Sequence, residues 1–523
     1  LEWIIVFTAA ALCFGQKQDK SNVVFDETKI QKYSLSFYGM AAWADSLDVH
    51  KNGDEEYIPA RFVWHKSDGD STVLDSVGVR YKGNSSFTYS GSNIKKPTKI
   101  NFSWVHKKQT FYDLEKLNLH NMVRDPSCMR EKISYDLMRR LMPASRTSYV
   151  ILSVDTMQIG LYLQVEDIDQ GFLTRNFKDD QSNLYKTGDQ GSAMKYLGVN
   201  ASSYSEQWDL RTNEDDGDIS GLIWMLEKLN NTTDSNFVKV AGKALDLDNC
   251  IQYLAYNMVT SNFDSYTGST RNVYLYDDKT SQKFKLIPWD FNLGWGNFPY
   301  KWDVVKVDAF NFDSSELANK PLIRRVLANE SLRQLYGKYI LYYINKVMSQ
   351  DTVAAMAGRI KTLIDSAVIT SANNFYDHDK FLTNIESDYS YMESGSRIII
   401  PGIKSFAAKR YEQLKTQLDR ENILPVLNQA VRGVNPAVRL RVSAAAGGRS
   451  LTVRFSAMPA AGHVVVTMHN AKGEALCSFD QDIQTAGVYG TTFDTGSLPS
   501  GFYAVSLNMG KTRASSGVML VKE

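Results

Sequence analysis

The hydrophobic period of this chain changes at Leu424 and does not change back, which calls for at least two folding units of different class. Before that point, stretches such as Phe406–Leu418 (FAAKRYEQLKTQL) space their apolar residues for a helix. From Val438 onward there are only short alternating segments, LTVRF, HVVVTM, GVYGTTF, GFYAVSL and GVMLV, separated by turn formers such as AsnAlaLysGly. Residues 438–523 are therefore expected to form a small β-sandwich. Residues 425–437, with Gly433 and Pro436, read as the linker.

Ahead of the linker the order of elements suggests two unequal lobes. Tyr33–Tyr38, Tyr57–Trp64, Val77–Tyr81 and Thr98–Trp104 carry aromatic and β-branched residues between turn clusters, so the first hundred residues are strand-rich. A helix is expected over Ser127–Leu141, where Met129, Ile133, Leu137 and Leu141 recur every fourth position, with Asp125 or Ser127 as cap. Tyr149–Val154 and Gly160–Val165 read as a hairpin. Helical patterning follows over Ile219–Asn230 and Asp248–Val259, interrupted by strands at Asn272–Tyr276 and Lys283–Ile287, and resumes from Leu317 to Leu424. The expected class is α+β: a two-lobed domain over residues 33–424 with a cleft between its lobes, followed by the all-β sandwich.

Charge and apolar content narrow the function. Lys plus Arg number 59 against 58 for Asp plus Glu, so no global field draws the chain to nucleic acid or an anionic membrane. Trp3–Phe14 (WIIVFTAAALCF) is too short to span a bilayer and reads as the core of a secretory signal peptide, with residues 1–15 removed and 16–32 as a polar lead-in. No later run is long enough to cross a membrane, so the mature chain is expected to lack a transmembrane segment. Cys128, Cys250 and Cys477 are too few and too scattered for a disulfide framework or a zinc site.

The segment from Asn257 to Gly296 is the richest in chemistry. Asp264 follows a helix and opens a Gly/Ser/Thr-rich loop, Asn272 begins a strand eight positions later, and Asp290 follows the partner strand. A turn between those strands would bring Asp264, Asn272 and Asp290 to one end of the hairpin. Two carboxylates and an amide form a hard-oxygen set suited to Mg²⁺ on a polyphosphate; the alternative is that each Asp merely caps a turn. Lys82, Gly83, Asn84, Ser85 and Ser86 form a loop after Val77–Tyr81 that could present N–H groups and hydroxyls to phosphate, with Lys99 or Lys96 on the next strand supplying charge; the same loop also reads as an ordinary hairpin turn. Glu131 either orients such a lysine from its helix or joins a solvated face. Glu166, Asp167 and Asp169 end a strand where a hinge between lobes would offer backbone groups to an adenine edge. Signatures of serine hydrolases, zincins, P-loop NTPases and dinucleotide-binding folds are absent.

Taken together, VGVRYKGNSS, KKPTKINF, KLNLHNMVRDPSCMREKISYDLMRRL, YVILSVDTMQIGLYLQVEDIDQGFL, LDLDNCIQYLAYNMVTSNFDSYTGSTRNVYLYDD, IPWDFNLGWG, PLIRRVL and GIKSFAAKRYEQL resemble, in this order, the CotH kinase family over roughly residues 30–425. The resemblance implies an atypical protein kinase, secreted or displayed on a bacterial cell surface, that transfers the ATP γ-phosphoryl group to Ser or Thr of a protein substrate with Mg²⁺ or Mn²⁺. It would make Asp264 the aspartate that polarises the acceptor hydroxyl, Asn272 a metal-binding amide, and Asp290 the metal-binding aspartate of a DFG-like turn. Lys82–Ser86 would cover the phosphates, Lys99 would be the strand lysine with Glu131 as its helix partner, and Lys96 and Lys186 compete with Lys99. Kinase loops put the asparagine about five positions after the aspartate; the gap of eight here requires a bulge. The last unit resembles the sorting domain of type IX secretion, which implies a secretion machinery as partner. The competing expectation is a non-catalytic adhesion or structural protein on the same fold.

Overall fold

The computed structural model describes residues 19–298, 301–371, 373–393, 395–423, 438–457, 462–470, 473–483, 487–509 and 512–520. The expected signal peptide and linker lie outside the described residues. The first part of the chain runs β1 (Gln31–Ser36), α1 (Trp43–Asn52), β2 (Ile58–His65), β3 (Ser71–Tyr81), α2 (Ser85–Tyr89), β4 (Thr98–Asn101), β5 (Lys116–His120), α3 (Arg130–Met138), β6 (Thr147–Val154), β7 (Met157–Glu166) and α4 (Gln170–Asn176). Its seven strands close into a barrel in the order β1-β2-β3-β4-β5-β7-β6. All neighbours are antiparallel except β1 and β6, whose parallel pairing of Gln31 with Val150 seals the ring.

Alternation along the strands fills the barrel. In β2, Ile58, Ala60, Phe62 and Trp64 point inward while Pro59, Arg61 and His65 face out. Phe62, Phe102 and Phe111 meet at ring distances of 5.0–5.2 Å at its centre. On β6 and β7 the other face is buried as well, because Tyr149, Leu161, Leu163 and Val165 join the helical core. The closed barrel was no part of the sequence expectation, whereas the mixed α and β content agrees with it.

The second part contains β8 (Leu184–Thr187), β9 (Trp208–Leu210), α5 (Ser220–Asn231), α6 (Phe237–Ala244), α7 (Leu247–Val259), β10 (Val273–Asp278) and β11 (Lys283–Pro288). The strands form a sheet in the order β11-β10-β8-β9. Every residue of α7 except Asp248 is buried. The stretch expected to be helical up to Leu424 is interrupted by a hairpin, Tyr389–Glu393 with Ser396–Ile400, where aromatic and β-branched residues flank Gly395 at φ +79°. Among the described residues no helix is long and apolar enough to cross a membrane.

After the linker, Val438–Ala444, Ser450–Ala457 and Gly487–Asp494 form one antiparallel sheet, and Gly462–His469, Ala475–Ile483, Gly501–Met509 and Thr512–Leu520 form another. Leu451, Val453, Phe455, Val464, Val466 and Val505 are buried in one cluster between them.

Candidate active site

α7 and the β10–β11 hairpin set out the first group of residues. The hairpin pairs Val273 with Pro288, so Asn272 and Asp290 leave it at the same end. The C-terminal end of α7 is held by buried Arg410, which donates to the Met258 carbonyl at 3.1 Å and to those of Val305 and Val307 at 2.8 Å each. The following loop folds back on itself: the Ser269 N–H donates to the Phe263 carbonyl at 2.8 Å, and a Cβ on Gly268 would lie 2.1 Å from that oxygen. This bulge absorbs the long spacing. Asn272, in the left-handed region at φ +56°, donates from Nδ2 to the Asp264 carbonyl at 2.8 Å and to its Oδ2 at 3.0 Å, and Ser269 Oγ donates to Oδ1 at 2.9 Å. Burial pushes the Asp264 carboxyl above its ordinary value, against the pull of Ser269, Arg271 and Asn272.

α3 fixes the second aspartate. Its Tyr135 Oη accepts the Asp290 N–H at 3.0 Å, and Ser134 Oγ accepts Trp295 Nε1–H at 3.0 Å, so the segment after β11 is clamped to one helix face. Asp290 sits at φ +55° with Oδ1 buried and without a hydrogen-bond partner. Burial, then repulsion from Glu131, pushes its carboxyl up to about 6. An orphaned carboxylate oxygen of this kind fits a hard cation. With its N–H₂ group spent on Asp264, the Asn272 side-chain oxygen is the atom of that amide that could act as a ligand.

The same helix face carries Glu131, which is 3% exposed. Its oxygens lie 2.9 and 3.0 Å from His120 Nδ1, and His120 Nε2 lies 2.9 Å from Lys82 Nζ. Lys82 has only hydrogens to give, so Nε2 accepts and the ring proton resides on Nδ1, facing Glu131. Burial and the Lys82 charge hold His120 down to about 3, keeping the ring neutral; burial also brings Lys82 down to about 8 and Glu131 up to about 8. The Lys82 ammonium stands 5.2 Å from the Trp289 ring centre. His120, Glu131 and Asp290 each bring a ligand atom within 4.8 Å of the others.

A small solvent-open cleft is bordered by Lys82, Gly83, Ser86, His120, Glu131 and Asp290. Gly83 is at φ +75°, and a Cβ there would lie 2.5 Å from Ser86 Oγ. Asn84 and Ser85 open the short helix α2 and are not among the lining residues.

Two expectations need correction. Lys99 does not meet Glu131: its Nζ donates to Asp167 Oδ2 at 2.8 Å, and Asn118 Nδ2 donates to Oδ1 at 2.9 Å, which keeps the Asp167 carboxyl low although burial alone would raise it. The Glu166 N–H is not free for an adenine edge, because it donates to the Arg146 carbonyl at 3.0 Å, and the Glu166 carboxylate is clamped by Arg146 and Arg175. The reason is the same in both places: a buried charge is tolerated only with a partner, and the nearest partner decides. Lys96 turns to the Gly91 carbonyl and over the Phe87 ring. Lys186 on β8 lies 6.0 Å from the Tyr274 ring centre and is lowered by burial and by the charges of Arg211 and Lys99.

His120 and Asn118 were missed by sequence reasoning. The available signal was their alternation: in β5, Leu117 and Leu119 face the barrel interior, and Asn118 and His120 are the polar residues between and after them.

A protein-family model described as CotH kinase protein matches residues 79–414. Inner spore coat protein H of Bacillus subtilis is 25% identical over 53% of this chain and 76% of its own length. Invasin CotH3 of Rhizopus delemar is 23% identical over 57% of the chain and 55% of its own length, and spore coat protein homolog 1 of the same organism is 20% identical over 57% and 52%. With the family match covering well over half of the sequence, the chain belongs to the CotH kinase family.

Proposed function

We propose that this protein is an ATP-dependent kinase of the CotH type, transferring a phosphoryl group to Ser or Thr hydroxyls of a protein substrate with Mg²⁺ or Mn²⁺. The observation that carries this reading is the buried, unpartnered Oδ1 of Asp290 in a cleft shared with Lys82 and within the electrostatic reach of Asp264. In this reading the barrel is one lobe and α7 with the β8–β11 sheet belongs to the other, a two-lobed kinase-like arrangement with the cleft between.

Asp290 and Asn272 would hold the metal, which when bound neutralises charge on the β- and γ-phosphate oxygens. Lys82 and the Gly83 backbone would face those oxygens, with Lys186 nearby. The acceptor hydroxyl oxygen forms a new bond to the γ-phosphorus as the bond to the bridging oxygen breaks and ADP leaves. The hydroxyl proton passes to Asp264, whose carboxylate is oriented by Asn272 and Ser269 and made more basic by burial. Catalysis then rests on positioning and charge neutralisation, with no covalent intermediate.

The coat and invasin names of the relatives support a surface or coat location. Export through residues 1–15 and sorting by a type IX secretion machinery acting on residues 438–523 belong to the same proposal. Those names also favour a second reading, a non-catalytic surface adhesion or structural protein. Phosphate incorporation from γ-labelled ATP with Mg²⁺ or Mn²⁺, using residues 16–523, separates the two. Label that Asp264→Ala and Asp290→Ala both remove supports the kinase; no label together with no ATP-induced thermal shift favours adhesion.

A further inference from the structure

We propose that His120 is a positioning residue that links Lys82 to Glu131, so that the lysine is held over the cleft by a Lys–His–Glu relay in place of a direct ion pair. The inference rests on the phosphotransferase reading, in which Lys82 faces phosphate. Lys82 follows the end of β3 and His120 ends β5, with β4 lying between those strands in the barrel. The imidazole spans this one-strand gap: Nε2 is 2.9 Å from Lys82 Nζ, and Nδ1 is 2.9 and 3.0 Å from the two oxygens of Glu131 on α3. Because a lysine offers only donors, hydrogen-bond donation runs one way, from Lys82 to the ring and from the ring to Glu131.

Trp289 ties the relay to the metal aspartate. Its ring packs edge-on against His120 at 5.8 Å and lies beneath the Lys82 ammonium, and the next residue is Asp290. A histidine that only filled the core would not need both nitrogens engaged by titratable side chains lining the same cleft. In the relay, removing the ring leaves two buried polar groups, the Lys82 ammonium and the Glu131 carboxyl, without their shared partner, and Lys82 loses its fixed direction.

The test has a spectroscopic arm and a kinetic arm. With ¹⁵N-labelled histidine and His120→Gln to assign the signal, long-range ¹H–¹⁵N correlation near neutral pH should show His120 as a neutral Nδ1–H ring whose Nε2 resonance moves in Lys82→Met. An Nε2–H tautomer, a doubly protonated ring, or an Nε2 signal indifferent to Lys82→Met overturns the relay, whether or not the protein is a kinase. In the kinetic arm, His120→Leu should raise KM for ATP about tenfold or more with a smaller change in kcat, as expected for a lost hydrogen bond to a charged group. His120→Gln, whose amide also pairs an acceptor with a donor, should stay within about threefold of wild type. His120→Leu added to Lys82→Met should cost nothing further; additive losses would show that His120 acts independently of Lys82 and overturn the proposal. If His120→Leu does not fold, Glu131→Gln takes its place in the cycle. A wild type that neither transfers phosphate nor binds ATP defeats the kinase reading alone, and the tautomer still decides the relay.

Discussion

Asn272 grips Asp264 from two sides, donating to its backbone carbonyl at 2.8 Å and to its carboxylate Oδ2 at 3.0 Å. The contact exists because the Phe263–Thr270 bulge shortens an eight-residue separation to hydrogen-bond distance, with Gly268 where any side chain would strike the Phe263 carbonyl. With Ser269 on the other oxygen, the Asp264 carboxylate is fixed before any acceptor arrives.

Asp264→Ala is expected to lower the rate of phosphoryl transfer by about 10²–10⁴-fold, the usual contribution of a positioned acid or base. Asn272→Asp should be more damaging than Asn272→Ala, because it places a second, partly buried carboxylate against the first. Initial rates with γ-labelled ATP check both, and an Asn272→Asp enzyme as active as Asn272→Ala would refute the orienting role.

Asp290→Asn should leave the fold intact, because the Tyr135 contact uses the backbone N–H. It removes the charge from a carboxylate whose Oδ1 is buried and unpartnered, so the melting temperature without ligand should be unchanged or higher. The thermal shift produced by Mg²⁺ with ATP should vanish; an unaltered shift would remove Asp290 from the metal site.

The raised Asp290 pKa also predicts a pH signature. Its folded value of about 6 lies above the ordinary 3.8, so folding favours the protonated acid. The associated stability is fully present below about pH 4 and is lost as pH rises through about 6, a change of up to about 3 kcal/mol. Melting temperatures of wild type should therefore fall relative to Asp290→Asn across that window without metal. Saturating Mg²⁺ with ATP should flatten the difference, and parallel curves without ligand would contradict the assignment.

Gly83→Ala forces a side chain into φ +75° and against Ser86 Oγ. The backbone cost alone is about 1–2 kcal/mol. Adding Ser86→Ala should recover only the steric part, so denaturant melts of the single and double variants should differ while both stay below wild type.

Arg130 is fully buried and bonds Asp125, Ser127 Oγ at 3.1 Å, Asn384 Oδ1 at 2.9 Å and the Pro401 carbonyl, tying α3 to both flanks of the Tyr389–Ile400 hairpin. Arg130→Met leaves the buried Asp125 carboxylate without its charge partner and should cost about 3–5 kcal/mol, read by urea unfolding. A loss below about 1 kcal/mol would mean that the network relaxes around the gap.

Local pattern alone placed much of this molecule. The alternation of β2, the α7 helix, the β10–β11 hairpin and five of the seven sandwich strands among the described residues follow from periodicity and turn residues, while Val438–Ala444 and Ala475–Ile483 were not expected; the hairpin register carries Asn272 and Asp290 to one end without any distant contact. The Ser127–Leu141 helix was visible too, although it begins at Arg130, whose N–H is accepted by Asp125 from five residues back. Tertiary structure alone decided the barrel, because its closing pair joins Gln31 to Val150, and it chose Lys82 over Lys99 as the lysine linked, through His120, to Glu131. His120 in the relay, Asp167 on Lys99, and Glu166 between Arg146 and Arg175 belong to the same class. Periodicity says which face a side chain takes, but which charge it meets there depends on the register of strands far apart in sequence and on burial that forces every charge to find a partner.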